Sequence, residues 1–133
     1  MGNFFPRGCR GMLNLDTHIL IHALNGSLTP SEKKLLAEDS WSISAIVLWE
    51  IAKLRQLQRI ELDIESVEFL RALAQIRIWP LDLDVCLQAT RMDFQGDPAD
   101  EIIAATSVVN RLPLVTRDRA IRKSRLVQIA RLT

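Results

Sequence analysis

Apolar residues along this chain change their spacing again and again, and each change marks a boundary between elements. Met12, Leu13 and Leu15 suit a short buried strand, whereas Ile19, Leu20, Ala23 and Leu24 share one helical face, so the period changes at Asp16. This first helix is expected to end near Asn25-Gly26, and Pro30-Ser31-Glu32 to start a shorter one carrying Leu35 and Leu36. Trp41 to Ile43 reads as a second strand. Ser44 can then cap a helix from Ala45 to about Gln56, where Ile46, Val47, Trp49, Ile51 and Leu54 cover most of the circumference and predict a largely buried helix.

The second half continues the alternation. Ile64 to Gln75 predicts an amphipathic helix with Val67, Leu70, Leu73 and Ala74 inward, and Arg77 to Pro80 a third short strand. Asp82 or Asp84 can cap a helix running through Met92. Gly96-Asp97-Pro98 is a strong helix start, with Asp97 as N-cap, Pro98 in the first helical position and Asp100 placed to bond backward as in a capping box. Ile103, Ala104 and Ser107 share the face of Asp100. Leu112 to Thr116 then reads as an apolar strand, Ala120, Ile121 and Ser124 as a helical pattern, and Leu126 to Ile129 as a closing strand. Strands alternating with helices point to an α/β architecture with a parallel sheet.

Composition narrows the class. A chain of 133 residues with 48% apolar and 25% charged positions is one globular domain, spanning 12–133, with residues 1–11 an N-terminal extension given no role. Cys9 and Cys86 form no CxxC or Cys/His cluster, which argues against a zinc site or disulfide framework and for a reducing cytoplasm. The N-terminus lacks a signal-peptide core, Pro6 replaces the Ser or Thr of a myristoylation signal, and no apolar run is long enough to span a membrane. A net charge of +1 conceals a polarity: 61–101 holds ten acids and three bases, and 111–133 holds seven bases with Asp118 as its one acid. The basic region is compatible with a polyanionic ligand.

The candidate chemistry lies in four carboxylates. Asp16 and Asp118 each follow an apolar strand and precede a helical pattern, Asp100 opens a helix that leads into a strand, and Glu50 sits inside a helix that follows one. Capping accounts for Asp16 and Asp118 singly, and for Asp97 almost fully. Glu50 among Ile46, Val47 and Leu54 must be paired, bound to a cation or protonated, with Lys53 at i,i+3 the local partner available. Strand carboxyl ends share one edge of a parallel sheet, so these acids can converge there. Four carboxylates in one pocket repel unless neutralised, and a hard divalent cation, Mg²⁺ or Mn²⁺, is the natural counterion. His18 and His22, at i,i+4, lack a third ligand for zinc. The serines form no nucleophile elbow, and the glycines no phosphate-cradling loop.

The segments LDTHIL (15–20), SAIVLWEIAKL (44–54), DPADEIIAATS (97–107) and LVTRD (114–118), in that order, resemble the PIN-domain family and within it the VapC-type ribonuclease toxins of toxin-antitoxin pairs. The resemblance implies a three-layer α/β/α fold with a central parallel sheet. It implies metal-binding and catalytic roles for Asp16, Glu50, Asp100 and Asp118, with Thr17, Ser44 and Thr116 as pocket hydroxyls. One or two Mg²⁺ or Mn²⁺ ions would serve phosphodiester hydrolysis of RNA, with Glu50 ligating or positioning the attacking water. Arg117, Arg119, Arg122, Lys123 and Arg125 would grip the RNA backbone. A homodimer and a cognate antitoxin are also implied, the latter in a groove lined by Leu35, Leu36, Leu54 and Leu57. One departure is Glu101, where many relatives carry Arg. Two other functions fit the same acids: a silent PIN-like binding module, and a Mg²⁺-binding phospho-acceptor domain that cuts nothing.

Overall fold

The computed structural model describes residues 11–131. Most of the expected residues 1–11 extension therefore lies outside the described residues. The elements run β1 (Met12–Leu15), α1 (Thr17–Asn25), α2 (Pro30–Glu38), β2 (Ser40–Ser44), α3 (Ala45–Gln56), α4 (Val67–Ala74), β3 (Arg77–Trp79), α5 (Leu83–Ala89), α6 (Pro98–Asn110), β4 (Leu114–Val115) and α7 (Arg119–Arg122). All strand pairings are parallel, in the order β3-β2-β1-β4, with helices on both faces of the sheet in three layers.

Parallel strands covered on both sides must be apolar throughout, and β1 obeys: all four of its residues are buried. Asn14 is the polar exception, and its Nδ2 donates to the Ile103 carbonyl at 3.2 Å and to Ser107 Oγ at 2.9 Å, joining β1 to α6. Leu15, Ile19 and Leu20 meet Ile43, Val47, Ile51, Ile103 and Leu114 in the main core. Truncating one of these to Ala would cost about 2–5 kcal/mol.

Strand order decides where a site can form. From β1 the chain moves one way through β2 to β3, then crosses back to lay β4 on the other side of β1. Such a reversal opens a crevice at the carboxyl ends of the strands on either side of it, here β1 and β4. Asp16 follows β1 and Thr116 to Asp118 follow β4, so the crevice falls between them.

Several local expectations are corrected. The α3 helix is not buried all round: Val47 and Ile51 are enclosed, but Trp49 is 59% exposed. In α4 the inward residue is Phe69, with Ala72 and Leu73 half-buried beside it, whereas Val67, Leu70 and Ala74 face outward. The helix expected to reach Met92 stops at Ala89. The expected closing strand at 126–129 shrinks to one parallel bridge between Leu114 and Ile129. Leu36 is a core residue, 2% exposed, and lines no groove. None of the described helices is long and apolar enough to cross a membrane.

Candidate functional site

Asp16 is fixed through both backbone and side chain. Its N–H donates to the Val115 carbonyl at 3.0 Å, and its own carbonyl accepts the Leu20 N–H that starts α1. The carboxylate accepts from the Thr17 N–H at 2.8 Å and from Thr116 Oγ1 at 2.6 Å. It occupies the N-cap position, yet it serves the adjacent amide and not one further into the first turn, where a cap usually bonds. Burial pushes its pKa up, against the two hydrogen bonds and the nearby His18, which pull it down.

Glu50 reaches the same place from α3. Its Oε1 accepts a hydrogen bond from Thr17 Oγ1, so Thr17 joins two acids: its N–H serves Asp16 and its hydroxyl serves Glu50. The alternative pairing with Lys53 does not form, because Lys53 Nζ donates to Gln56 Oε1 at 2.8 Å. Burial is the first cause of a raised Glu50 pKa, and the charges of Asp16 and Asp97 add to it.

Asp100 shows the convergence most directly. Its pKa is pushed up to about 7, first by burial and then by Asp16, Glu50, Asp118 and Asp97. The α6 helix opens without a side-chain cap bond, which overturns capping as the account of Asp97. Asp97 is instead an exposed fifth acid beside Glu50 and Asp100. Asp118 does act as a cap, its Oδ1 accepting the Ile121 N–H at 3.0 Å, while its own N–H donates to Thr116 Oγ1.

The hydroxyls and cations separate into different tasks. Thr17 and Thr116 bind carboxylates, whereas Ser44 Oγ accepts the Ile46 N–H and caps α3. Arg117 forms a two-pronged pair with Glu32 and does not stand free for a phosphate. Arg122 Nη1 donates to the Thr116 carbonyl at 3.0 Å. Arg119, Lys123 and Arg125 are exposed. His22 lies 2.8 Å from Ser27 Oγ, so the two histidines do not act together. His18 is exposed beside Asp16 and Glu50. Its place at the second position of α1, two residues after the strand-end acid, was the sequence signal for that neighbourhood.

The donor set is of one chemical kind. Asp16, Glu50, Asp100 and Asp118 offer only carboxylate oxygens, and burial, with the neighbouring negative charges added to it, pushes Asp100 up to about 7. Hard divalent cations take oxygen ligands and offset such charge, so these residues fit Mg²⁺ or Mn²⁺ in kind. They are not drawn into a closed shell: among the described residues, no three His, Cys, Asp or Glu groups are gathered tightly enough to hold an ion as they stand.

Comparison with known proteins agrees with this fold. The family described as "PIN domain" matches residues 14–125. Ribonuclease VapC22 of Mycobacterium tuberculosis is 36% identical over 90 residues, covering 65% of this chain and 69% of its own. A toxin-antitoxin complex from Klebsiella pneumoniae has a chain of similar fold, with a TM-score of 0.67 and 23% identity over 86% of this chain and 94% of that one. A chain of VapBC2 from Rickettsia felis, bound to a fragment of promoter DNA, gives a TM-score of 0.68 at 17% identity, covering 92% and 99%.

Proposed function

This chain belongs to the PIN-domain family, and from that premise we propose that its acidic crevice is the active site of a Mg²⁺- or Mn²⁺-dependent endoribonuclease, the toxin of a toxin-antitoxin pair. The observation that carries this reading is that carboxylates from four parts of the chain share one neighbourhood: Asp100, half-buried in the first turn of α6, feels the charges of Asp16, Glu50 and Asp118. The name of the relative, a ribonuclease, supplies the reaction class.

Asp16, Asp100 and Asp118 would hold one or two ions, with Glu50 as a further ligand or as the group that orients the attacking water. A bound divalent ion lowers the pKa of water and offsets charge building on the phosphoryl oxygens. The protein's own part is arrangement. Thr116 holds Asp16 by its hydroxyl, Thr17 holds both Asp16 and Glu50, and the exposed side of the crevice admits the substrate. Asp100, pushed up to about 7, would serve as a ligand in its deprotonated form, which is within reach near neutral pH. No side chain forms a covalent bond to phosphorus in this scheme.

Arg119, Lys123 and Arg125, exposed after Asp118, would grip the RNA backbone. Each phosphate contact would steepen the dependence of log affinity on log salt by about 0.7 for a single strand. The antitoxin partner is supported by the toxin-antitoxin complexes among the structural neighbours. Leu35, Leu54 and Leu57 remain as candidate groove linings, and a homodimer in the cytoplasm completes the reading. The test is incubation of purified protein with RNA in Mn²⁺ or in chelator, for the native chain, Asp16→Asn and Asp118→Asn. Cleavage that needs Mn²⁺ and is lost in both variants supports the proposal. Cleavage unchanged by both substitutions would assign the activity to a contaminant, and no cleavage at all would favour a silent binding module.

A further inference from the structure

The loop that carries Asp118 is also held from outside the crevice. Arg117 lies between Thr116, which donates to Asp16, and Asp118, whose N–H returns to the Thr116 hydroxyl. Its guanidinium is taken by Glu32: Nε donates to Oε2 at 2.8 Å and Nη2 to Oε1 at 2.6 Å. Glu32 is itself immobilised, at 3% exposure, by a capping box in which Oε1 accepts the Thr29 N–H and the Glu32 N–H donates to Thr29 Oγ1. One turn on, Leu36 anchors α2 in the core.

This pair differs from an ordinary surface ion pair. Two flexible partners in water give little. Here one partner is buried and rigid, and the planar fork of Arg fixes direction as well as distance. A side chain held at two points constrains the backbone it springs from, and the residues on either side of it are two groups of the crevice. Arg122 adds a further tie to the same loop through its hydrogen bond to the Thr116 carbonyl.

We infer that Glu32 is a positioning residue for the acidic crevice: through its fork to Arg117 it sets where Thr116 and Asp118 stand, so that α2, which carries none of the four acids, belongs to the functional unit. The activity readout of this inference rests on the nuclease reading, and its structural readout does not. The competing use of Arg117, gripping the substrate's phosphates, predicts a change in binding and not in turnover.

The test compares Glu32→Gln, which keeps an acceptor for the Thr29 N–H but removes the charge, with Arg117→Lys, which keeps the charge but removes the fork, and with the double variant Glu32→Gln/Arg117→Met. Amide hydrogen exchange at Asp118 is expected to quicken about tenfold or more in each, while the amides of Val47 and Ile103 keep their native rates. With Mn²⁺ and RNA, kcat is expected to fall about tenfold with KM within about twofold, and the double variant to be no worse than the single ones. Unchanged exchange at Asp118, equal acceleration throughout the core, additive losses, or a risen KM with native kcat would each overturn the inference. If the native protein cleaves no RNA, the nuclease reading fails by itself, and the exchange rates still decide the role of Glu32.

Discussion

Two helices of this protein begin with nearly the same words. Thr29-Pro30-Ser31-Glu32 opens α2, and Asp97-Pro98-Ala99-Asp100 opens α6: a capping residue, a proline in the first turn, a small residue and an acid. In α2 the phrase does what helix physics asks, and both bonds of the capping box form. In α6 the same phrase makes no side-chain cap bond. The acids diverge accordingly. The hydrogen bonds from Arg117 hold Glu32 down at about 2, while burial among other acids pushes Asp100 up to about 7. Local sequence offers the acid a task, and the neighbours brought by the fold decide whether it takes it. Where it is refused and left among like charges, stability has been given up for something else.

The largest test of this contrast is catalytic. Asp100→Asn is expected to lower RNA cleavage by at least about a thousandfold, against about tenfold for Glu32→Gln, because one acid would hold the ion and the other only steadies a loop. Single-turnover cleavage rates in Mn²⁺ measure both, and equal losses would erase the distinction.

Next comes the response to the ion itself. Divalent cation at about a hundred times its dissociation constant should stabilise the native protein by about 2.7 kcal/mol. Thermal unfolding with Mn²⁺ and with chelator should show this shift in the native chain and in Glu32→Gln, but not in Asp100→Asn. A shift of the same size in all three would mean that the ion binds elsewhere.

Acid titration probes the other helix. Because the folded pKa of Glu32 lies below its ordinary value of 4.5, its contribution is fully present above about pH 4.5 and is lost as pH falls toward 2. With the discount due to a half-exposed Arg117, this is on the order of 1–2 kcal/mol. Denaturant unfolding of the native chain and Glu32→Gln should therefore differ most near neutral pH and converge as the solution becomes acid. A gap that widened on acidification would contradict the direction of the shift.

The smallest effect is a repair. Asp97→Ser would give α6 the cap it lacks and remove one charge beside Asp100, stabilising the metal-free protein by about 0.5–1 kcal/mol. No change in its unfolding midpoint would show that the open helix start has nothing to do with the missing bond.

Much of this arrangement was legible in the residues because it is local. The strand ends that present Asp16 and Asp118 follow from where apolar spacing changes, and the helix starts from Pro30 and Pro98. Phase and partnership were harder. In α4, Val67 and Leu70 are as apolar as Phe69, so periodicity alone placed them inward, whereas the fold buries Phe69 and, of the expected face, keeps only Leu73 against the core. Trp49 made α3 look enclosed, though an apolar side chain can stand at the surface at modest cost. Arg117 looked like one of a row of phosphate-binding cations because its true partner lies 85 residues away. Asp97 looked like a cap because the strongest local rule applied to it, and the fold overrode that rule.

Thr116 makes the contrast concrete at the scale of one atom. Its hydroxyl gives its single proton to Asp16 and receives the amide proton of Asp118, so a continuous line of polarity bridges the gap between the carboxyl ends of β1 and β4. Valine has almost the same outline and would leave the strand in place while severing that line. The shape of this protein and the charge pattern of its crevice can therefore be taken apart at a lone oxygen.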